Sequence, residues 1–273
     1  MIPLSIMIQK RFKPLRISII TPTFNSGATL KTTIDSIQNQ TYPHIEHIIV
    51  DGGSTDNTLD IIHAAGTKIK EFISEPDNGL YDALNKGLAL ATGDVIGILN
   101  SDDFYPNKRV LEKVAKTFFI HQTDSVYGDL QYVEHDNLKR VVRHWKSGKY
   151  YSNSFLYGWM PPHPTFFVRR EVYQRLGLFD TQLQMAADYE LMLRFLFKNR
   201  ISTVYIPEVL VKMRMGGMSN RSFKARLHAN GEDRLAWEIN GLKPRFYTTI
   251  LKPLRKVGQY RLSTIGALFG IGL

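Results

Sequence analysis

The sequence predicts an α/β fold: a mainly parallel sheet flanked by helices, with a basic helical segment at the C-terminus. Three observations predict it. Over the first hundred residues, short apolar runs of β type alternate with stretches whose apolar residues recur at helical spacing. Polar, often glycine-bearing clusters follow those runs instead of interrupting them. Residues 243–273 carry cations and no acid.

Taken in order, Ile17–Ile20 is a short apolar strand that runs into Thr21-Pro22. Residues 27–39 follow as a helix, with Leu30, Ile34 and Ile37 on one face. Ile45–Val50 is a second strand, ending at Asp51-Gly52-Gly53, and 56–65 a second helix that Asp56 is placed to cap. Ile69–Ser74 is a third strand, 79–91 a third helix and Val95–Leu99 a fourth strand. Strand and helix in strict alternation require crossover connections and hence parallel pairing. Beyond residue 107 the pattern loosens. A helix over 107–120 leads to hairpin-like strands near 124–144 and an aromatic, irregular stretch over 145–162. A strand at Thr165–Val168, a helix over 187–198, a strand over 202–206 and a charged helix over 219–239 complete the chain. No linker interrupts it. The simplest division is a basic extension over 1–15, one domain over 16–240 and a basic amphipathic segment over 241–273.

The composition is that of a globular protein, with 43% hydrophobic and 22% charged residues, so wholesale disorder is excluded. The absence of cysteine excludes disulfides, thiolate metal sites and cysteine nucleophiles. The formal charge of +10 favours polyanionic partners. Nucleic acid is not expected among them: the basic ends are not interleaved with aromatics in an RNA-binding pattern, and no such motif is present. No stretch approaches the roughly 18–20 apolar residues that cross a bilayer. Met1–Ile8 is apolar but precedes the cations instead of following them, the wrong order for a secretory leader, so a cytoplasmic location is expected.

In open α/β sheets ligands bind beyond the carboxyl ends of the strands. Three polar clusters fall there: Thr21-Pro22-Thr23-Phe24-Asn25, Asp51-Gly52-Gly53-Ser54-Thr55-Asp56 and Asn100-Ser101-Asp102-Asp103. Asp102 and Asp103 are adjacent acids after an apolar strand. They repel each other unless a cation or hydrogen bonds compensate, and Mg²⁺ or Mn²⁺ bridging to phosphate would do so; a Ser-Asp-Asp turn before Pro106 is the plainer alternative. Asp51 is placed to accept hydrogen bonds from a base or ribose, or simply to open a glycine-rich turn. Asp82 and Lys86 lie in the helix after Asn78-Gly79, where backbone N–H groups can hold phosphate oxygens. Asp188, in Ala186-Ala187-Asp188-Tyr189-Glu190, is either a general base facing a cavity or a first-turn acid favoured by the helix dipole. His163, set between Pro162 and Pro164, is displayed toward phosphate or acceptor, or is structural.

Together these motifs resemble the family 2 glycosyltransferases over roughly residues 16–215. Ile17–Asn25 resembles the opening strand and its Pro-x-x-Asn turn. Asp51–Asp56 is similar to the nucleotide motif Asp-Gly-Ser-x-Asp. Gly79–Gly87 is similar to the Gly-x-x-x-Ala-x-Asn-x-Gly helix, and Asn100–Asp103 to the Asp-x-Asp-Asp metal motif. Asp188 falls where the family places its catalytic base. The resemblance implies the GT-A fold and inverting transfer of a sugar from a nucleotide diphosphate donor. It implies that Thr21, Pro22, Thr23, Asn25, Asp51, Asp82, Lys86, Ser101 and Asp102 bind the donor, that Asp102 and Asp103 hold Mn²⁺ or Mg²⁺, and that Asp188 is the base. Asn100 replaces the first acid of the metal motif, and Lys86 stands where many members have Arg. The pattern is nearest to enzymes of bacterial exopolysaccharide and O-antigen synthesis, which implies a glycan or polyprenyl-linked acceptor. Residues 243–261 place Ile250, Leu251, Leu254 and Val257 among six cations. On a helix that pattern suits the anionic inner face of the cytoplasmic membrane, or a solvated C-terminal helix that packs on the domain.

Overall fold

A computed structural model describes residues 14–216, 223–248, 251, 252, 255 and 259. The N-terminal extension and most of the basic C-terminal segment lie outside the described residues. Eight strands form one sheet: β1 (Ile17–Thr23), β2 (Ile45–Asp51), β3 (Glu71–Ser74), β4 (Val95–Ile98), β5 (Ser125–Val133), β6 (Val141–Trp145), β7 (Phe167–Arg169) and β8 (Thr203–Arg214). The order is β3-β2-β1-β4-β7-β5-β6, with β8 alongside β5. β1 to β4 are parallel, as their helical crossovers require. β7 runs antiparallel to β4 and β5, and β6 antiparallel to β5, so the sheet is mixed.

The helices are α1 (Leu30–Gln38), α2 (Thr58–Ala65), α3 (Leu80–Leu90), α4 (Val110–His121), α5 (Arg170–Leu176), α6 (Ala187–Met192) and α7 (Phe223–Ile239). α6 continues as a π-helical stretch over Leu193–Lys198. The alternation of side chains along the strands sends their two faces into separate cores. Ile20, Ile48, Val50, Ile96 and Ile98 pack with α3, α5, α6 and Trp237 of α7. Ile17, Ile19, Val95 and Leu99 face the other way, toward α4 and Ile37 of α1. No helix among the described residues is long and apolar enough to cross a membrane.

Two elements depart from the sequence expectation. α5 is an added short helix. β8 extends to Arg214, whereas the sequence reading ends it at 206. Pro207 has no N–H for the ladder, and the strand absorbs it by a register shift: Tyr127 pairs with Tyr205 but Asp129 with Val209. Gly128 makes room there, because a Cβ would lie 2.4 Å from Cγ of Leu210.

The amino edge of the sheet is closed by Glu46. Its buried carboxylate accepts hydrogen bonds from Ser18, from the N–H and hydroxyl of Thr92 and from the N–H of Gly93. Burial pushes this carboxyl up, but the hydrogen bonds outweigh it and hold it below the usual range. On the α3 face, Gly87 lets the helix lie close on β1: a Cβ would sit 2.4 Å from Cγ2 of Ile20 and 3.3 Å from Cγ2 of Val50. Gly87→Ala is therefore expected to destabilise the fold by about 1–3 kcal/mol through overpacking, which exceeds alanine's gain in helix propensity. A lower urea midpoint at unchanged slope is the readout, and a stabilised variant would refute the close approach.

Candidate active site at the carboxyl edge of the sheet

The carboxyl ends of the parallel strands fall along one edge, neighbours about 4.8 Å apart. Thr23 of β1 pairs in register with Asp51 of β2, and Asp51 with Ser74 of β3. β4 ends beside them and delivers Asn100–Asp103. β7 arrives antiparallel, which places the turn His163–Thr165 ahead of it at the same edge.

Asp51 is fully buried, and its carboxylate is engaged within the protein. Oδ2 accepts from the N–H groups of Gly53 and Ser54 (3.1 and 2.9 Å) and from the Ser74 hydroxyl (2.7 Å), while Oδ1 accepts from the Ser54 hydroxyl. The carboxylate thus shapes the turn that would meet a nucleoside. Gly53 adopts φ +84°, open to glycine, and a Cβ on Gly52 would lie 2.5 Å from Oδ2 of Asp77. Asn25, at φ 47°, serves the same turn: its N–H donates to the Ser54 hydroxyl (2.8 Å) and its Oδ1 accepts from the Thr55 N–H (2.9 Å). Thr21 and Pro22 are buried, and the Thr21 hydroxyl lies 3.1 Å from Nε2 of His47, an imidazole that burial pushes down to about 3. The Thr23 hydroxyl is buried without a hydrogen-bond partner. Phe24, just past it, is 61% exposed over this edge.

The acidic loop is held from three sides. Phe104 and Lys212 exchange backbone hydrogen bonds of 2.9 Å in both directions, fastening the loop to β8. The Thr33 hydroxyl of α1 donates to the carbonyls of Ser101 (3.0 Å) and Asp103 (2.7 Å). Ser101 Oγ lies 2.8 Å from Ser26 Oγ. Asp102 is partly exposed, whereas Asp103 is fully buried. Asn100 donates its amide to Oδ2 of Asp103 (3.1 Å), and Oδ1 of Asp103 has no partner. Burial holds the Asp102 carboxyl above the usual carboxylate range, against the opposing charge of Arg214. Burial and then the Asp102 charge hold Asp103 well above it.

Arg214 is not among the residues the sequence singles out, because the β pattern of its strand breaks at Pro207. It is buried over the Phe104 ring and donates to the Asp102 carbonyl (3.3 Å) and the Thr32 hydroxyl (3.1 Å). The apolar pair Leu210-Val211 just upstream was the available signal that the strand resumes.

Asp188 sits in the first turn of α6, partly exposed. The Tyr81 hydroxyl, from the first turn of α3, lies 3.4 Å from its Oδ1 and donates to it. Burial and then the Asp188 charge raise the Tyr81 phenol, keeping it protonated and able to donate. Phe179 joins two sides of this corner, stacking on Tyr81 at 5.7 Å and meeting His163 edge-on at 5.9 Å. His163 is not displayed on a loop as expected. Its Nε2 is buried without a partner, and burial lowers its pKa against the pull of Asp188, so the ring is neutral. Tyr81, a second residue not foreseen, gave no separate signal beyond its place before Asp82.

Asp82 and Lys86 have partners within the β3–α3 connection. Asp82 accepts from the Asn78 N–H (3.0 Å) at the start of α3. Lys86 pairs with Glu75 (2.8 Å), lies 3.7 Å from Asp82 and donates to the Pro76 carbonyl (3.0 Å). Its charge is satisfied inside the β3–α3 connection, and Glu75, which satisfies it, is not part of the sequence motif.

The model of the family described as glycosyl transferase family 2 matches residues 18–177, more than half of the chain. The chain belongs to glycosyl transferase family 2. It is 32% identical over 208 residues to a PGL/p-HBAD biosynthesis glycosyltransferase of Mycobacterium bovis, covering 74% of this chain and 78% of that one. It is 33% identical over 221 residues to an uncharacterized glycosyltransferase of Rickettsia typhi, covering 77% and 66%. This family 2 glycosyltransferase also shares its fold with solved structures. S. aureus TarS 1-349 in complex with UDP-GlcNAc superposes with a TM-score of 0.63 at 19% identity, over 83% of this chain and 65% of that one. In the longer TarS structure the match spans 42% of that chain. The mannosyltransferase PcManGT of Pyrobaculum calidifontis, in complex with GDP-Man and Mn²⁺, superposes with a TM-score of 0.62 at 18% identity, over 95% and 80%. These likenesses establish the GT-A fold.

The chemistry of Asp102 and Asp103 fits a hard divalent cation. Asp102 and Asp103 supply oxygen donors, and the orphaned Oδ1 of Asp103 is a buried acceptor that a cation would satisfy. Among the described residues no group of three or more His, Asp or Glu side chains is placed to hold a metal. A cation held by these two carboxylates would need further ligands from bound phosphate or water.

Proposed function

We propose that this family 2 glycosyltransferase moves a sugar from a UDP- or GDP-sugar to a hydroxyl of a glycan or polyprenyl-linked acceptor, with inversion, in the synthesis of a bacterial surface polysaccharide. The observation that carries this is that the acid pair 102–103 follows β4 at the carboxyl edge of the sheet, where the first turn of α3 brings Tyr81 to Asp188. Thr23, the turn over 52–55 shaped by Asp51 and Asn25, and Ser101 border the donor space. Asp102, with Asp103 beneath it, would hold Mn²⁺ or Mg²⁺. The cation, when bound, neutralises charge on the departing diphosphate.

Asp188 takes the proton of the acceptor hydroxyl as that oxygen bonds to the anomeric carbon. The bond from that carbon to the diphosphate oxygen breaks, and its electron pair leaves with the diphosphate. A single displacement of this kind inverts the configuration. Tyr81, by donating to Oδ1, leaves Oδ2 of Asp188 to face the acceptor. His163, whose Nε2 is buried without a partner, would meet acceptor or phosphate only where one reaches into that space. The protein would work in the cytoplasm, at the inner face of the membrane where a polyprenyl-linked acceptor is presented.

A panel of nucleotide sugars, assayed by calorimetry and thermal shift with and without Mn²⁺, tests the donor assignment. One UDP- or GDP-sugar is expected to bind and raise the melting temperature in the presence of the metal only. Metal-dependent binding of no donor at all would sink the proposal.

A further inference from the structure

Away from the donor edge, the irregular segment over 146–162 and the start of the C-terminal segment build one face together. The Thr248 hydroxyl donates to the Leu156 carbonyl (2.7 Å), and Tyr247 stacks on Tyr157 at 5.9 Å. A Cβ on Gly158 would lie 2.4 Å from the backbone N of Lys252, so the two segments approach backbone to backbone. Lys252 pins the contact through a buried ion pair with Asp233 and a position 3.7 Å from the Tyr189 ring centroid.

This face exposes aromatic rings that a soluble surface would cover. Phe246 is 88% exposed, Tyr151 69% and Tyr157 45%. The exposed charge that these two segments themselves carry has one sign. Lys149, Lys243, Arg245 and Arg255 are exposed, and neither 137–170 nor 239–273 contains an acid. Arg245 lies 5.8 Å from the Tyr247 ring and donates to its hydroxyl (2.8 Å), which holds a guanidinium at the margin of the rings.

We infer that this aromatic and cationic face docks the enzyme on an anionic lipid bilayer. Rings with an apolar body and a polar tip settle at the headgroup boundary, and each cation near the surface adds attraction to anionic lipid. A second copy of this chain fits worse, because a self-complementary interface would set cations against cations. The location also serves the chemistry. Phe155, in the turn between Tyr151 and Tyr157, packs on Tyr189 at 5.9 Å, and Tyr189 follows Asp188 in α6. The docking face thus backs onto the helix that carries the proposed base, so an acceptor anchored in the bilayer would approach from the base side. This last step rests on the lipid-linked acceptor proposed above; the docking itself does not.

The test is flotation of the full chain with vesicles of phosphatidylglycerol and phosphatidylcholine, and with phosphatidylcholine alone. The wild type is expected to float with the anionic vesicles and to be released by salt. Phe246→Ser combined with Tyr151→Ser should lower the partition coefficient by about tenfold or more, given the apolar area removed from the headgroup boundary. Lys243→Ser with Arg245→Ser should abolish the preference for anionic lipid. Both pairs are exposed, so an unchanged melting temperature and unchanged donor binding verify the fold. Wild-type floating of either pair overturns the inference. So does a wild type that binds no vesicles, or a variant whose loss is a change in oligomeric state or in binding to a soluble acidic polysaccharide. If docking fails while transfer to a soluble glycan persists, the glycosyltransferase proposal stands without it.

Discussion

Asp188→Asn is expected to leave donor binding unchanged and to lower transfer to acceptor by about 10³-fold, the middle of the range for a lost general base. Asparagine keeps the shape of the side chain and can still accept the Tyr81 hydrogen bond at its amide oxygen. What it loses is basicity. The acid pair, the turn shaped by Asp51 and the Phe24 rim lie on other elements and remain in place. Calorimetry with the donor and metal separates the two steps, and initial rates at saturating donor report the loss. Joint loss of binding and transfer would contradict the assignment of Asp188 as base. Because Asp188 is partly exposed and first-turn acids also favour the helix dipole, a purely structural role predicts instead a lower melting temperature with normal turnover.

The sequence made the parallel half of the fold legible because there local and global signals agree. β1 to β4 are short, apolar and separated by helices of plain 3.6-residue periodicity, and each ends in a polar cluster. The other half was harder, since its contacts are long-range. β7 joins the sheet antiparallel through only two paired positions with β4. β8 crosses Pro207 by a register shift that no local pattern records. The same division holds for the site. Asp51, Asn25 and Asp102 stand out by type and position, but the sequence could not say how they are used. Asp51 and Asn25 make their hydrogen bonds to the turn over 52–55, and Lys86 is held by Glu75 from a neighbouring connection. Arg214 and Tyr81 were invisible for another reason. Each acts on a residue more than a hundred positions away, Arg214 at Asp102 and Tyr81 at Asp188.

Asp102→Asn should have the second large effect, a fall of about two orders of magnitude in kcat/KM, corresponding to about 3 kcal/mol of lost charge stabilisation on the leaving diphosphate. The loop should stay folded, because its supports are the Thr33 hydroxyl, the exchange between Phe104 and Lys212, and Arg214 on the backbone carbonyl of Asp102; none uses the Asp102 carboxylate. Donor binding should lose its dependence on Mn²⁺ in the same variant. With two carboxylates available among the described residues, removing one leaves only Asp103, which is buried and already accepts the Asn100 amide. Asn100 eases the repulsion within the pair: where a third carboxylate would add to it, its amide donates to Asp103. We expect the metal to bind well only together with the donor, whose phosphates would supply ligands that two carboxylates cannot. A Mn²⁺ titration followed by calorimetry, with and without nucleotide diphosphate, measures this coupling. Equal metal affinity in the two conditions, or undiminished metal dependence in Asp102→Asn, would show that the cation is held elsewhere.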